Sequence, residues 1–323
     1  MPKNKKLPPD KVLQDNIFLI KKIGHISNYG EVMYYASQNV IMRCLADGYP
    51  FDIASNKAEK YILSAEGRSK GYAMVSLNNW YHSGRQIYDF DDTLAELLSS
   101  QNDKDIVVDI STLGNVPCDH FYVTRKYKDS VDSVGFFVSI DRENDLIFIG
   151  DLGKNREPTG LFAKMKNGTT LKQIIEEVCG TDYTIGNNIL AEQITEHLQY
   201  IAYLSAINAD VTPITKRAVA KRTPQNPTPI SNPQKNEISQ VGYKIGAELR
   251  RAAKQYVYAD KSSGDKHGTP KTPHIRRGHF HSYWVGHAED KRLVHKWVSA
   301  VFVGGTQVGD VSTVHKIKDE KHD

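Results

Sequence analysis

Hydrophobic positions in roughly the first 100 residues recur at the three- and four-residue spacing of amphipathic helices. Two stretches show this spacing clearly, residues 12–23 and residues 32–45. Asp91 or Asp92 then stands directly before a short apolar stretch at 93–98, where a carboxylate can cap the N-terminus of a helix. We therefore predict that this part of the chain is mainly helical and serves as a scaffold.

The pattern then changes to short apolar runs of the length of β-strands. Three runs stand out, at residues 106–110, 134–140 and 146–149. The second and third flank a turn-like polar segment at 141–145, which is typical of a β-hairpin. These runs predict a hairpin that is joined to a third strand in an antiparallel sheet.

Two further helices are predicted after the strands. The first covers 170–178, with Thr169 or Thr170 as its cap, and the second covers about 188–207 and carries an apolar stripe. Packed on the predicted sheet, they give a fold of the α+β class. The predicted chain comprises a helical N-terminal part, an antiparallel sheet with packed helices, a Pro-rich linker and a C-terminal strand-rich module.

Residues 212–236 differ in composition from the rest of the chain. They contain five of the 13 prolines and several basic residues, but no acidic and no aromatic residue. Such a segment cannot bury enough apolar surface to fold alone, so we predict a linker. The predicted organisation is a helical and α+β domain at 1–211, the basic linker at 212–236, a basic His-rich module that contains strands at 237–309, and a frayed tail at 310–323.

Residues 273–286 concentrate most of the side chains that can recognise or transform a ligand. Pro273 and Gly286 bound the run, as expected for an extended strand, and a second strand at 293–303 would complete a hairpin. In a strand, alternate residues share a face. One face would carry His279, His281 and Tyr283, and the other face Phe280, Ser282 and Trp284.

Composition and charge restrict the classes of protein that fit. No apolar stretch approaches the ~20 residues that span a bilayer, and no signal peptide is recognisable, so we expect a cytoplasmic protein. The three cysteines suggest reduced thiols. Residues 1–211 carry 22 basic against 28 acidic residues, whereas residues 212–323 carry 20 against 10 and eight of the 12 histidines. A basic C-terminal part is typical of proteins with a polyanionic partner, although a solvated basic surface gives the same count.

Three chemical interpretations of the 273–303 region remain open. His279 and His281, with His295 on the facing strand, would present three imidazoles to a metal ion, but the nearest carboxylates lie in the predicted turn. We therefore predict no metal and no other cofactor. The same histidines would instead act as general acid and base on RNA, with Lys296 among the cations that stabilise the developing charge.

The third interpretation is recognition without catalysis, and it is the one we favour. Basic side chains would contact phosphate or carboxylate groups, and Tyr283, Trp284 and Trp297 would offer stacking faces. The alternative is that Phe280, Trp284 and Val298 form the core side of the hairpin. The predicted peptide- or RNA-binding residues are Arg276, Arg277, His279, His281, Tyr283 and Lys296.

The motifs of common enzyme classes are absent from the sequence. There is no phosphate-binding loop, no His-Glu-x-x-His pair, no Gly-x-Ser-x-Gly elbow and no kinase signature. The acidic cluster of Asp89, Asp91 and Asp92 can bind a divalent cation, but a helix N-terminus explains it more economically. Ordinary hydrolase, kinase and nicotinamide-dependent activities are therefore disfavoured.

The C-terminal part resembles the type V-A anti-CRISPR proteins of phages and plasmids, specifically the second of them, which inhibits biogenesis of the effector nuclease Cas-twelve-a. The segments that carry this resemblance are Val241–Arg251, Pro273–Gly286, Lys296-Trp297 and Ala300–Val303. Upstream, only the order of elements is similar, at Val107–Ile110, Gly135–Val138, Tyr200–Leu204 and Asp210–Pro213.

The resemblance implies an inhibitor that acts while the nuclease is being synthesised in the bacterial host. Such a protein recognises the nascent N-terminal peptide of the effector and triggers loss of the mRNA under translation. Its partners would be this peptide and also mRNA or the ribosome, with no membrane. The resemblance assigns no catalytic residues, so His279, His281 and His295 remain candidates from chemistry alone. A His-dependent ribonuclease or an RNA-binding module of a mobile element is the alternative function.

Overall fold

The structure, a computed structural model, describes residues 8–101, 104–124, 133–153, 158–180, 185–214, 236–251, 274–276, 278–287 and 290–303. The helices are α1 (Pro8–Ile23), α2 (Tyr29–Ala46), α3 (Phe51–Leu63), α4 (Ala65–His82), α5 (Asp92–Ser99), α6 (Leu171–Cys179), α7 (Ile185–Ser205) and α8 (243–251), with a 3-10 turn at Thr112–Asn115. The strands are β1 (Gln86–Phe90), β2 (His120–Thr124), β3 (Ser133–Asp141), β4 (Leu146–Gly153), β5 (Pro158–Lys164), β6 (Val211–Pro213), β7 (Glu237–Val241), β8 (His274–Arg276), β9 (His279–Val285), β10 (Arg292–Val298) and β11 (Val301–Val303).

Seven strands form one sheet in the order β5-β4-β3-β2-β1-β7-β6. The prediction of an α+β fold is confirmed. The sheet is mixed, however, because β1 runs parallel to both β2 and β7 while the other pairs are antiparallel. The predicted hairpin is β3-β4, in which Ile140 lies opposite Ile147.

The prediction of a strand at 106–110 is wrong. Its backbone makes one isolated bridge, from Val107 to Thr170, and then turns into the 3-10 segment. The turn is fixed by Asp109, whose carboxylate accepts hydrogen bonds from the amide of Thr112 and the hydroxyl of Ser111. An Asp side chain that bonds its own downstream backbone offers the chain an alternative to a strand.

The helices predicted on either side of the sheet are confirmed, with their caps. Thr170 and Gln173 form a capping box at the start of α6. The Asp91 carboxylate accepts a hydrogen bond from the amide of Thr93 at the start of α5, as expected from the sequence. In the described residues, no helix combines the length and the apolar character needed to cross a membrane.

Two layers of helices cover the two faces of the sheet. Helices α1, α2 and α4 pack on one face through a cluster that includes Trp80, Tyr122 and Phe137. Helices α5, α6 and α7 pack on the other face. Helix α4 approaches closely because Gly150 and Gly160 present no side chain to it, and a Cβ atom at either position would collide with Ala73.

The C-terminal part is divided between the large sheet and two small sheets. Strand β7 pairs with β1 inside the large sheet, while β9 pairs with β10 and β8 with β11. The second predicted hairpin is therefore observed as β9-β10. Most of the predicted linker, at 215–235, and the predicted tail at 310–323 lie outside the described residues. The predicted domain boundaries stay predictions.

Candidate functional site

The β9-β10 hairpin carries most of the residues predicted to bind a ligand. His281 lies opposite Lys296, Tyr283 opposite Val294, and His279 opposite Val298. Because directly opposed residues in a sheet project to the same side, His279, His281, Tyr283 and Lys296 share one face of the hairpin. The grouping of His279, His281 and Tyr283 was predicted from the period of two. His281 is exposed, and the rings of His281 and Tyr283 lie 6.1 Å apart.

His295 is separated from the other two imidazoles. It lies opposite Ser282, on the other face of the hairpin, and its side chain is 1% exposed. Its Nδ1 is 2.9 Å from the Ser282 hydroxyl and its Nε2 is 2.7 Å from the carbonyl oxygen of Val107. The interpretation that these three imidazoles surround one metal ion is therefore wrong. In the part of the chain that the structure describes, no group of three His, Cys, Asp or Glu side chains is placed to hold a metal ion.

The aromatic residues of the hairpin have different environments. Phe280 and Trp297 are buried, with ring centroids 4.9 Å apart, and belong to the core under α7. Trp284 is 67% exposed and lies opposite the half-buried Leu293. The core interpretation thus holds for Phe280 and is wrong for Trp284. It is also wrong for Val298, which is exposed and lies opposite His279 on the other face.

The hairpin is held to the body of the protein by backbone-directed hydrogen bonds. The Asn208 carboxamide pairs with both backbone groups of Trp297: its Nδ2 donates to the carbonyl oxygen, and its Oδ1 accepts from the amide, each at 2.9 Å. The amide of Ile207 donates to the carbonyl oxygen of His295, and Gln101 Nε2 donates to that of Gly278. The turn after α7 therefore acts as an extra partner for β10.

Of the two arginines predicted to bind a ligand, the structure describes only Arg276. Arg276 is exposed on β8, where it lies opposite Val301 of β11. Arg277 falls outside the described residues. The binding roles proposed for these residues, and for the histidines of the hairpin, stay predictions.

The acidic cluster at the end of β1 is structural. Asp91 is buried, caps α5 and pairs with Arg250, whose Nη1 lies 2.7 Å from Asp91 Oδ1. The adjacent carboxylate, that of Asp89, accepts hydrogen bonds from the hydroxyls of Thr124 and Tyr243. These contacts join β1, β2 and α8, and they support the helix-terminus interpretation of the cluster.

A cleft of about 510 Å³ lies at the β5 edge of the large sheet and was not predicted from the sequence. His197 of α7 forms part of one wall and is 2% exposed. The centroid of its ring lies 4.2 Å from that of Phe136, and its Nε2 lies 3.7 Å from Asp151 Oδ2. The residues that line the cleft also include Arg68, Ser69, Tyr72, Asp151, Leu161, Phe162, Glu177 and Gln193.

One signal in the sequence could have indicated the side of this cleft that His197 forms. Glu196, His197 and Gln199 interrupt the apolar stripe of α7, and all three are buried. Polar residues on the buried side of a helix require partners, and here these come from the C-terminal end of α5 and from β4. Ser99 donates to Glu196, Gln199 donates to the carbonyl oxygen of Gln101, and His197 faces Asp151 of β4.

The outer edge of β5 is partly closed beside this cleft. The Ser69 hydroxyl of α4 bonds both the amide and the carbonyl oxygen of Gly160, at 2.9 and 3.0 Å. Pro158 at the start of the strand has no amide hydrogen to donate. An added strand would therefore meet a blocked edge at its first positions, so the cleft is better suited to side chains than to a full-length β-strand.

Comparison with known protein families places the chain among anti-CRISPR proteins. Residues 88–305, more than half of the sequence, match a family described as AcrVA2-like, the anti-CRISPR type V subtype A2 family. Comparison with curated proteins finds no match. The matched span runs from β1 to the end of β11 and includes the whole β9-β10 hairpin. The resemblance stated from the C-terminal segments is thereby confirmed, and the chain belongs to the anti-CRISPR type V subtype A2 family, whose role is the inhibition of CRISPR defence.

Proposed function

We propose that this protein silences a type V-A effector nuclease during translation, by recognising the nascent N-terminal peptide and causing loss of the mRNA. The family match is the single observation that carries this proposal. In this scheme the protein needs a site for a peptide and a way to cause loss of the mRNA, either by its own contact or through a partner.

The cleft at the β5 edge is our candidate for the peptide site. Its carboxylates, Asp151 and Glu177, suit a Lys or Arg side chain of a peptide, and Tyr72, Leu161 and Phe162 suit the apolar stem of such a side chain. The charge of the chain supports this assignment, because the acidic residues exceed the basic ones within 1–211.

A frame-shifted reporter tests the proposal in cells. The first codons of the effector are fused to a reporter in frame, and a matched fusion shifts the frame by one nucleotide and restores it downstream. The two RNAs are almost identical, but they encode different peptides. We expect this protein to lower the in-frame transcript and to leave the shifted one unchanged. Equal levels of both transcripts, with and without the protein, would contradict the proposal.

Two variants on α7 then test the cleft. Gln193→Arg should fill the cleft with a cation and abolish silencing, because Gln193 lines it. Glu192→Arg is the matched control, since Glu192 is the exposed neighbour on the same helix and lies outside the cleft lining. Full silencing by Gln193→Arg, in protein that folds normally, would remove the cleft from the proposal while leaving co-translational silencing intact.

A further inference from the structure

Trp284 differs from the other two tryptophans of the chain. Trp80 and Trp297 are 0% and 1% exposed, whereas Trp284 is 67% exposed. A tryptophan side chain buries about 150–250 Å² when it packs in a core, so a large stabilising contribution is not used here. Among the described residues from 88 onward, Trp284 is also the only aromatic side chain in the set of exposed large hydrophobic residues. Core packing does not explain this position.

The surroundings of Trp284 are mainly polar. Its cross-strand neighbour Leu293 is half-buried, and Lys291, two residues before Leu293 at the turn, is exposed. Arg292 is also exposed, but it lies opposite Val285 and therefore projects from the other face of the hairpin. Asp290 is an exposed acid in the same turn. An apolar protein partner would need a wider apolar patch than one indole and one half-buried leucine. An exposed indole near an ammonium group, in a part of the chain with an excess of basic residues, is instead a combination found in sites for single-stranded nucleic acid.

The hairpin is also held in a fixed orientation. Its inner end is anchored through Trp297, Phe280 and His295, and the register from His279 opposite Val298 to Val285 opposite Arg292 is uninterrupted. Trp284 is one residue from the outer end of this ladder. A stacking residue on such a rigid ribbon loses little conformational entropy when it binds a ligand.

We propose that the outer end of the β9-β10 hairpin binds single-stranded RNA, with one base stacked on Trp284 and the adjoining phosphate contacted by Lys291. The excess of ten basic over acidic residues within 212–323 favours an anionic ligand. This contact goes beyond the proposed function, because a nascent peptide can be recognised, and its mRNA lost, without any RNA touching this protein.

Intrinsic fluorescence gives a direct test, because only one of the three tryptophans is accessible. The full-length protein is titrated with an unstructured single-stranded RNA of about 12 nucleotides. We expect quenching of the exposed indole, and the signal should disappear in Trp284→Phe. Binding is measured independently by the anisotropy of labelled RNA, in which Trp284→Ala should weaken affinity about tenfold and Trp284→Phe should weaken it less.

Charge and specificity are tested in the same assay. Lys291→Ala should reduce the slope of log affinity against log salt by about 0.7, as expected for one lost phosphate contact. Tyr34→Ala is the matched control, since Tyr34 is a 59% exposed aromatic residue on α2.

Three results would overturn the proposal: unchanged affinity in Trp284→Ala, RNA binding without quenching of the indole, or no RNA binding by the wild-type protein. If Trp284→Ala loses silencing in the frame-shift reporter while the wild type binds no RNA, the hairpin contacts a protein instead, and the proposed function survives.

Discussion

The attachment of the hairpin by Asn208 leads to a quantitative prediction. Asn208→Ala removes two hydrogen bonds of 2.9 Å and leaves the amide and the carbonyl group of Trp297 without these partners. Trp297 is 1% exposed, so water reaches its backbone poorly. A satisfied hydrogen bond contributes about 1 kcal/mol, and a buried group left unsatisfied costs about 1–3 kcal/mol. We therefore expect a loss of about 2–4 kcal/mol in the free energy of unfolding of the unit that contains the hairpin.

Urea unfolding followed by two probes measures this loss. Far-ultraviolet circular dichroism reports the helices, and tryptophan fluorescence reports Trp297 and Trp80 inside the core, with Trp284 already in water. If the hairpin detaches on its own, the fluorescence transition of the variant should move to lower urea than the dichroism transition. The matched control is Asn56→Ala at an exposed position within α3, with an expected change within about 0.5 kcal/mol. Equal midpoints for Asn208→Ala and the control would refute the view that this side chain holds the hairpin.

Two further predictions concern the large sheet. Gly160→Ala should destabilise the protein by about 1–3 kcal/mol in urea unfolding, because the new Cβ would meet the backbone of α4 at Ala73, whereas Gly114→Ala, with nothing within 4 Å of its Cβ, should change little. Burial lowers the pKa of His120, so its contribution to stability is present above about pH 6.5 and is lost as the pH falls through the lowered value. His120→Gln should flatten this pH dependence only in part, since burial lowers the pKa of His82 as well, and an unchanged slope in the variant would contradict the assignment.

Local signals in the sequence were sufficient for five of the helices, α1, α2, α5, α6 and α7. The cap of α6 depends on Thr170 and Gln173, three residues apart, and the cap of α5 depends on Asp91 and Thr93. Both interactions are formed within one turn, so the sequence predicts them without knowledge of the tertiary structure. The prediction of a strand at 106–110 failed for a reason that is also local. The composition is typical of a strand, but the hydrogen bond from the Thr112 amide to the Asp109 carboxylate stabilises a turn instead.

The candidate site was less predictable because its geometry depends on distant contacts. A period of two correctly placed His279 and His281 on one face, but it did not distinguish the exposed Trp284 from the buried Trp297. That difference is set by Asn208 and Val107, which are 89 and 188 residues away from their partners in the hairpin. No pattern within residues 273–303 contains this information.

The family match begins at residue 88, so it covers the two proposed sites to different extents. We therefore expect the two sites to vary differently among relatives. The hairpin with Trp284 lies entirely within the matched residues 88–305. The cleft is lined on one side by matched residues such as Asp151 and His197, and on the other by Arg68, Ser69 and Tyr72 of α4, which precede the match. If the cleft is the peptide site, a change in α4 should therefore alter the peptide that fits it without disturbing the hairpin. If both proposals hold, RNA contact should be a shared property of relatives that keep the hairpin, whereas the choice of nascent peptide should vary with the helices that cover the sheet.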